Sequence, residues 1–425
     1  MAATVVVGPI VVALVSIVAT LALGGWPRVQ RAASVAGGLA YATAIGLLAW
    51  RVVLRPGAPG VEAYTVAGWN PPFGITLVAD ALSAFMLSIA GVLAVASLVF
   101  AVRFIDRQNQ RVFYHPLAHS LLLGVAGAFL AGDLFNLFVW FEVLLLASYV
   151  FVAFYGNAQQ TAAAFRYLIL NVVASVFFLL ALGGLYATVG TLNMADVARR
   201  LADPVAYGVD PAPLLGLGAL LLAVFALKAG LVPFQFWVPG AYVAAPLPIV
   251  ALFAGVTKKV GMYAIIRVGF TVFGDATVTV PLGEIGAVSP TALLAPVLGV
   301  MAVASMVVGG VGALSRESIE EVLAYSSIGQ VGFIALPVAI AAAAPTPAIA
   351  RLGILAAVVY ALHHALAKGL LFMGAATVRD ATGTNRLSQL GGLGGQSTPF
   401  AAAFLVGSLS LVGIPPLTGF FGKFL

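Results

Sequence analysis

The 425-residue chain contains no cysteine, and this absence removes several kinds of site at once. Disulfide bonds, thiolate zinc sites and iron–sulfur clusters all need cysteine sulfur. The four histidines and Glu142, the one acidic residue deep in an apolar run, do not have the spacing of zinc or di-iron ligands. The sequence therefore predicts neither a metal site nor a bound cofactor.

Charge is scarce as well, since only 8% of the residues are Asp, Glu, Lys or Arg, whereas 62% are hydrophobic. A spanning helix needs about 20 mainly apolar residues, and runs of that length recur from one end of the chain to the other. No basic cluster is interleaved with aromatics, so the net charge of +6 does not indicate nucleic-acid binding. We predict an all-α, polytopic transmembrane helical bundle that forms a single domain over residues 1–425.

The apolar runs predict twelve spanning segments with loops between them. The Pro- and Gly-rich stretch 56–74 predicts an irregular loop, and residues 191–212 predict a short interfacial helix. The helix is indicated by apolar residues at helical spacing, which are Met194, Val197, Ala198 and Leu201. The twelve segments lie near 3–24, 32–54, 75–102, 116–132, 134–155, 162–188, 213–236, 242–270, 290–313, 321–341, 350–375 and 399 to the end.

The arginines predict the orientation of the bundle. Cytoplasmic loops carry an excess of Lys and Arg, and the odd-numbered connections hold nine arginines against six in the even-numbered ones. We therefore predict a cell (inner) membrane protein with its odd connections in the cytoplasm and its N-terminus outside. The N-terminus lacks a basic region, which favours a first spanning helix over a cleaved signal. The nine are Arg28, Arg31, Arg103, Arg107, Arg111, Arg166, Arg316, Arg379 and Arg386, and the six are Arg51, Arg55, Arg199, Arg200, Arg267 and Arg351.

The lysines are distributed differently, because each of the five lies within or beside a long apolar run. A lysine at the centre of a membrane helix costs roughly 2.5–3.5 kcal/mol on insertion scales. Lysine can gain and lose its proton in a desolvated site, which arginine cannot usefully do. The pattern therefore indicates proton movement within the membrane. The five are Lys228, Lys258, Lys259, Lys368 and Lys423.

Two proline motifs predict helices that are interrupted within the membrane. Pro233 has no amide to donate within its helix, and Pro415 with Pro416 leaves two carbonyls free, those of Leu411 and Val412. Interrupted backbone is tolerated at membrane depth where it is buried in protein or lines a wet cavity. A merely kinked helix is the alternative. A lysine five residues before the first motif and another seven residues after the second favour a functional break.

Glu142 and Lys228 are a candidate ion pair. Glu142 lies deep in an apolar helix, where a lone carboxylate would not stay ionised. Lys228 is its natural partner because its own helix shows the same depth and isolation. The pair is interpreted either as a proton gate or as a structural ion pair that fixes helix packing, and a pair that opens and closes would be both.

Further titratable residues extend this pair into a candidate relay. Lys259 lies in the middle of a helix and is predicted to take a proton from Lys228 through water. Lys258 points about 100° away around the same helix, and we predict a secondary or structural role for it. His364 and Lys368 are four residues apart and so share one helix face, which predicts the next step of the relay.

The remaining titratable residues near the apolar runs are predicted to have supporting roles. His363 faces away from His364, which favours packing or hydrogen bonding. His115 and His119 lie at the start of a helix near three arginines and are predicted to be interfacial. Two carboxylates, Asp80 and Asp133, are found near helix starts, where negative charge is stabilised by the helix dipole.

Six stretches, in this order and spacing, resemble one known family, and the resemblance runs from about Asp80 to the last residue. It is the family of antiporter-type proton-conducting subunits that Mrp-type multisubunit cation/proton antiporters, respiratory complex I and membrane-bound hydrogenases share. Lysine at position 423 and the segment Ser-Ser-Ile-Gly-Gln-Val-Gly at 326–332 look most similar to the Mrp D-type subunits. The six stretches are 133–142, 228–239, 259–263, 323–328, 364–372 and 413–423.

The resemblance implies a fourteen-helix fold with two inverted five-helix repeats and discontinuous helices. Two further helices are therefore expected beyond Leu425. On this scheme residues 1–115 hold the N-terminal helices, 116–270 the first repeat and 290–425 an incomplete second repeat. The resemblance also implies a secondary role for Tyr325. It implies proton-transfer roles, in order along the path, for Glu142, Lys228, Lys259, His364, Lys368 and Lys423.

Two departures from the family pattern change the local chemistry. The family commonly has His, Asp and His around the Trp-Leu-Pro turn, where this chain has Gln235, Gly240 and Tyr242. Water would then carry the proton through that turn. A basic pair usually precedes the Leu-Ala-Tyr-Ser-Ser phrase, and here the two residues are Glu320 and Glu321, which alters the charge offered to a partner or a cation.

The predicted function is proton translocation by a membrane subunit of a multisubunit monovalent cation (Na⁺)/proton antiporter, a transporter rather than an enzyme. Its expected partners are the other membrane subunits, protons, Na⁺ and the lipid bilayer. One alternative is a proton-pumping subunit of a redox-driven translocase, either NADH-quinone oxidoreductase or a membrane-bound hydrogenase. Two others are a carrier of organic solutes, which needs a roomy polar cavity, and a structural anchor, which would tolerate neutralisation of Glu142 and Lys228.

Overall fold

The computed structural model describes residues 4–105, 111–279 and 287–425, and this part of the chain is mainly helical. Ten of its helices are long and apolar enough to cross a membrane, and two shorter apolar helices, Leu214–Ala229 and Thr398–Val412, lie beside interruptions. The prediction of an all-α, multi-pass membrane protein is therefore confirmed. Arg107, which contributed to the predicted orientation, lies outside the described residues.

The N-terminal half begins with two spanning helices and a hairpin. The second helix continues as a π-helical turn, Trp50–Leu54, and α7 is the predicted interfacial helix. The elements are α1 (Thr4–Ala22), α2 (Pro27–Ala49), β1 (Val61–Thr65), β2 (Thr76–Asp80), α3 (Ala81–Phe104), α4 (Arg111–Leu130), α5 (Leu134–Val152), α6 (Ala158–Val189) and α7 (Met194–Ala202).

The C-terminal half contains both helix breaks and the central span. That span runs without interruption from Leu247 to Val272 through two π-helical turns, and its residues from Leu247 to Val268 are all buried inside the bundle. The elements are α8 (Leu214–Ala229), α9 (Trp237–Ala244), α10 (Leu247–Leu252), α11 (Lys258–Arg267), β3 (Val278–Thr279), β4 (Ala287–Val288), α12 (Pro290–Leu314), α13 (Ile319–Ala342), α14 (Pro347–Thr382), α15 (Leu393–Gln396), α16 (Thr398–Val412) and α17 (Thr418–Phe424).

The structure corrects the prediction for the first long connection. The stretch 56–74 is not wholly irregular, because β1 pairs antiparallel with β2, with Val61 opposite Asp80. The span predicted from residue 75 consequently begins at Ala81. Asp80 sets this boundary, since its side chain accepts from Ser83 N at 2.9 Å and caps the helix.

Asp133 caps α5 in the same way, accepting from Asn136 N at 2.7 Å, as the sequence predicted for both carboxylates. His115 and His119, in contrast, do not face the membrane interface as predicted. Both are buried, and they contact Ser34 of α2 at 2.9 Å and 3.2 Å. Their burial follows from close packing of α1, α2 and α4 around small residues, so their contacts are internal ones.

Arg267, at the end of the predicted span 242–270, was counted with an even-numbered connection, but the structure buries it in the last turn of α11. Its guanidinium forms two hydrogen bonds with Asp80, of 2.6 Å and 2.8 Å. Its Nε donates to the hydroxyl of Tyr263, which donates to the carbonyl of Phe129 at 2.8 Å. This network joins α3, α4 and α11, and it lowers the arginine total of the even connections from six to five.

Arg267→Gln is expected to destabilise the protein, because it leaves the carboxylate of Asp80 largely buried without its partner. Losing one partner of such a pair costs about 3–5 kcal/mol. Arg199→Gln is the matched control, since the Arg199 side chain is 64% exposed and its partner Asp196 keeps a second ion pair with Arg200, so the loss should cost below about 1 kcal/mol. Thermal melting in detergent should show a drop of several degrees for Arg267→Gln alone, and equal melting temperatures would contradict this account.

The same pair predicts a pH dependence of stability. Burial would raise the pKa of Asp80, but the hydrogen bonds and the charge of Arg267 outweigh it and hold that pKa below its ordinary value. A carboxyl with a lowered pKa stabilises the folded state at pH values above its unfolded pKa of about 3.9. This contribution is lost as the pH falls from that value through the lower pKa of the folded state. The acid-induced loss of melting temperature should therefore be smaller in Arg267→Gln than in the parent.

Candidate functional site

Three helices bring the candidate ion pair together. Glu142 of α5 and Lys228 of α8 approach to 3.8 Å between Oε1 and Nζ. Ser175 of α6 lies between them, because its hydroxyl donates to Glu142 Oε1 at 2.5 Å and accepts from Lys228 Nζ at 3.4 Å. The pair is thus linked by a hydroxyl group, which can pass a proton by donating and accepting.

The two members of this pair differ in burial. Lys228 is buried, and its ammonium lies 4.9 Å from the centre of the Phe141 ring, a favourable cation–π contact. Glu142 lies in the middle of α5 (Leu134–Val152), as the sequence indicated. Its side chain is 29% exposed, however, so the prediction that this carboxylate is buried is wrong. Phe141, Leu144 and Leu145, which lie beside it in sequence, are buried, so Glu142 is on a less covered face of α5. The carboxylate therefore lies at the edge of the bundle.

The first predicted break is confirmed immediately after Lys228. Helix α8 ends at Ala229, Gly230 has a φ of +71°, and Pro233 lies in the interruption before α9. The backbone groups released there find other partners. The indole of Trp237 donates to the carbonyl of Leu227 at 2.9 Å, and Val232 N donates to Ser305 of α12 at 2.9 Å.

The second predicted break is also confirmed. Helix α16 ends at Val412, Gly413 has a φ of +89°, and Pro415 and Pro416 separate it from α17. The carbonyls that the sequence left free are capped by Lys423, whose Nζ donates to Val412 O at 2.9 Å and, less closely, to Leu411 O. This lysine therefore joins the two segments of the broken helix.

The central span holds Lys259 against His364. The Lys259 Nζ is 2.6 Å from His364 Nδ1 and 2.5 Å from the carbonyl of Ala254, which lies in the π-helical turn before α11. One of the two nitrogens must donate and the other must accept, so the contact holds a single shared proton. The second ring nitrogen of His364 is buried and has no hydrogen-bond partner within the described residues.

Lys258 leaves the central span in another direction, as its position on the helix predicted. Its Nζ donates to the carbonyl of Ser327 on α13 at 3.1 Å. It also lies against the first break, since a Cβ added to Gly230 would be 3.3 Å from that Nζ. Lys258 therefore connects the end of α8, which carries Lys228, with α13.

Lys368 of α14 reaches the same stretch of α13. Its Nζ donates to the carbonyl of Leu323 at 2.8 Å, and that carbonyl also accepts from the hydroxyl of Ser327 at 2.9 Å. The ammonium groups of Lys258 and Lys368 thus approach one helix within a single turn of each other. His364 lies one turn from Lys368 and connects this group to Lys259.

His363 and Tyr325 lie to the sides of this group. The Nδ1 of His363 is 3.0 Å from the hydroxyl of Thr418 and 3.3 Å from that of Ser410, so His363 contacts the second break. Tyr325 packs beneath the guanidinium of Arg316, whose Cζ is 4.7 Å from the centre of the tyrosine ring. The structure therefore places His363 between the group and Lys423, whereas Tyr325 stabilises the start of α13.

The charges of this group are unbalanced. Within residues 4–105, 111–279 and 287–425, Lys228 has a carboxylate within 4.0 Å, and no such ion pair forms for Lys258, Lys259, Lys368 or Lys423. Neighbouring ammonium groups repel strongly where water is excluded. A proton added to one of these lysines therefore disfavours a charge on the next, which suits a set of sites that pass protons along.

Sequence reasoning did not identify the hydroxyl residues of the site. Ser175 links Glu142 to Lys228, and Ser327 lies between Lys258 and Lys368. Serine is common in membrane helices, where it bonds to its own backbone or to a neighbouring helix. Its position in an apolar helix is therefore a weak signal, and only the packing of α6 and α13 distinguishes these two.

Comparison with known proteins identifies the family of this chain. Residues 131–425 match the family described as NADH:quinone oxidoreductase/Mrp antiporter, TM. The chain is 37% identical over 365 residues to the D subunit of the Na(+)/H(+) antiporter of Alkalihalophilus pseudofirmus, covering 86% of this chain and 69% of that protein. It is 35% identical to the protein of the same name from Bacillus subtilis, covering 90% and 73%. It is also 36% identical to the N subunit of NADH-quinone oxidoreductase of Desulforudis audaxviator, covering 85% and 67%.

Two solved structures have the same fold. A chain of the Mrp complex from Dietzia sp. DQ12-45-1b superposes with a TM-score of 0.82 and 30% identity, covering all of this chain and 73% of that one. A chain of the membrane-bound sulfane sulfur reductase, an archaeal respiratory membrane complex, superposes with a TM-score of 0.87 and 28% identity, covering 99% and 80%. The chain therefore belongs to the NADH:quinone oxidoreductase/Mrp antiporter transmembrane family.

Proposed function

We propose that this chain is the proton-translocating, D-type membrane subunit of a multisubunit Na⁺/H⁺ antiporter. The observation that carries the proposal is the row of buried lysines, which begins at the Glu142–Lys228 pair and continues through Lys259–His364 to Lys368. The names of the two D-type relatives from Alkalihalophilus pseudofirmus and Bacillus subtilis support the cation and the multisubunit setting. On this proposal the chain is a transporter subunit and not itself an enzyme.

The path begins at the edge of the bundle. Glu142 takes up a proton there, and Ser175 offers a hydroxyl contact to Lys228. When the Glu142–Lys228 pair separates, the lysine loses its counter-charge and releases a proton past the break at Gly230. Lys258 lies against this break. Water completes the transfer to Lys259.

The second part of the path follows α14. Lys259 shares a proton with His364, which passes it to Lys368 one turn along the same helix. His363 lies towards the second break, where Lys423 caps the free carbonyls. Because each charged site repels a charge on its neighbour, protonation at one end drives release at the next. The proposed order is therefore Glu142, Lys228, Lys259, His364, Lys368 and Lys423.

We also propose the two inverted repeats, 116–270 and 290–425, and the location in the cell inner membrane with the N-terminus outside. The two breaks support the repeats, since each has a glycine of positive φ, Gly230 or Gly413, and a lysine beside it. Interrupted segments at corresponding places in two halves are typical of inverted-repeat transporters. The excess of arginine in the odd connections supports the orientation.

A proton-pumping subunit of a redox-driven complex is a second candidate. The likeness to the N subunit of NADH-quinone oxidoreductase and to the sulfane sulfur reductase chain favours it. The chain has no cysteine, so partner subunits would hold any iron–sulfur cluster. The chain would then be one part of a translocase, and its own lysines would carry the protons in the same way.

Everted vesicles that contain the whole assembly distinguish the two candidates. We expect added Na⁺ to dissipate a proton gradient that the respiratory chain has formed, and we expect no dissipation when this chain is deleted. Sodium provides the driving force in an antiporter, so the response should need no electron donor once the gradient exists. Proton pumping that depends on an electron donor of the complex itself, without a response to Na⁺, would contradict the antiporter proposal.

A further inference from the structure

Glu320 is a buried carboxylate that the proposed path does not use. It is the second residue of α13, and its side chain is 2% exposed. Both carboxylate oxygens are buried, and neither accepts a well-formed hydrogen bond from the described residues, although the side chain of Asn385 approaches them. A buried charge that lacks good hydrogen bonds costs several kcal/mol. A stabilising role in the fold therefore does not explain why a carboxylate occupies this position.

The ion pair of Glu320 is a loose one. Arg379 of α14 supplies the nearest cation, with 3.6 Å between Nη1 and Oε1, which is too long for a hydrogen bond. Asp80 and Arg267 in the same protein form two hydrogen bonds. The chain thus contains a tightly built carboxylate–arginine pair elsewhere, and the pair at Glu320 lacks that geometry.

Glu320 lies on α13 close to the backbone carbonyl that Lys368 contacts. Helix α13 packs against α14, and Lys368 donates to the carbonyl of Leu323 at 2.8 Å. Leu323 follows Glu320 by three residues, which is about 4.5 Å along the helix axis. Glu320 therefore lies one turn beyond the contact of Lys368, in the direction of the loops that precede α13 and follow α14.

Only a thin layer of chain separates Glu320 from the outside of the bundle. The loop after α14 crosses the start of α13, where Ile319 N donates to the carbonyl of Asn385 at 3.1 Å and Leu387 N donates to that of Glu317 at 2.8 Å. Arg386 and Leu387 in this loop are exposed. Water on this side thus reaches within one layer of residues of the carboxylate.

We propose that Glu320 exchanges protons between water at this loop and Lys368, an inference that rests on the proposed function. The carboxylate takes a proton from water, and bridging water passes a proton on to the free amine of Lys368, which becomes an ammonium. Glu320 is again a carboxylate, held by the charge of Arg379. The reverse sequence releases a proton from Lys368 to the same side.

The neighbouring Glu321 provides a matched control. Its side chain accepts from the hydroxyl of Ser318 at 3.1 Å, and its amide is capped by that hydroxyl, so its carboxylate has a local partner. Glu320→Gln and Glu321→Gln each remove one negative charge at adjacent positions. In everted vesicles with the whole assembly, we expect Na⁺-dependent proton transport to fall roughly tenfold or more in Glu320→Gln, and to be unchanged in Glu321→Gln.

Two further variants separate proton transfer from a structural role. Glu320→Asp keeps a titratable group and should restore most of the rate lost in Glu320→Gln. Arg379→Gln removes the ion pair but keeps the carboxyl, so its rate should fall much less. Equal losses in Glu320→Gln and Arg379→Gln, or no loss in Glu320→Gln, would overturn the inference. Because Lys228→Ala is measured in parallel, a loss there with normal transport in Glu320→Gln would leave the proposed function intact.

Discussion

Replacing Lys228 with alanine is expected to abolish Na⁺-dependent dissipation of the proton gradient in everted vesicles. Lys228 is the lysine that contacts both Glu142 and Ser175, so its removal leaves no proton acceptor between the carboxylate and the first break. A group that accepts and donates a proton in the rate-determining step contributes about 10²–10⁴-fold. We therefore expect a loss of roughly 100-fold or more, measured as the initial rate of gradient dissipation.

Assembly should survive this substitution. Glu142 keeps its 2.5 Å hydrogen bond from Ser175 and is 29% exposed, so the alanine variant does not leave a fully buried carboxylate alone. Removal of the long side chain leaves a cavity, whose cost is about 2–5 kcal/mol for large apolar groups. Co-purification of the variant with its partner subunits measures assembly directly, and it is the necessary control for the transport result.

Lys228→Arg distinguishes a proton gate from a structural ion pair. Arginine keeps the positive charge beside Glu142 but does not release its proton at any working pH. A gate therefore predicts loss of transport in Lys228→Arg as in Lys228→Ala, with assembly retained. Normal transport in the arginine variant would show that the charge alone matters, and normal transport in the alanine variant would contradict the proposed function itself.

Much of the fold could be predicted from the sequence, because the membrane restricts the choice of structure. Apolar runs of sufficient length must form helices there, and ten such helices are found among the described residues. The missing amides of the prolines predicted both breaks. The carbonyls of Leu411 and Val412 were correctly predicted to lack a backbone donor within their own helix. The sequence could not show that Lys423 caps them, since this contact depends on how α17 folds back.

The sequence predicted less well the features that depend on packing between helices, namely the exposure and the contacts of individual side chains. The exposure of Glu142 depends on which helices cover α5, and the burial of Arg267 depends on the hairpin that brings Asp80 to it. Helical spacing correctly separated the directions of Lys258 and Lys259. It did not reveal that Lys258 reaches α13, because the neighbouring helices that a side chain meets are not a property of its own segment.

The contact between Lys259 and His364 carries the second large prediction. Lys259→Met removes the proton carrier of the central span, and His364→Gln removes the imidazole while keeping a group that can accept from Lys259. Because glutamine does not pass a proton on, each variant should lose roughly 100-fold in Na⁺-dependent transport. His119→Gln is the control, since His119 is equally buried but contacts Ser34 of the N-terminal helices, and its transport rate should be close to that of the parent.

A double variant tests whether the two residues act as a unit. At 2.6 Å they share one proton. A chain that lacks only one of the two residues has therefore already lost this transfer step. The rate of Lys259→Met with His364→Gln should therefore be no lower than that of the slower single variant, as for groups that work together in one step. Losses that multiply would mean that each residue passes protons independently. That result would contradict a single path through the central span, whereas non-additive losses together with a normal His119→Gln rate would support it.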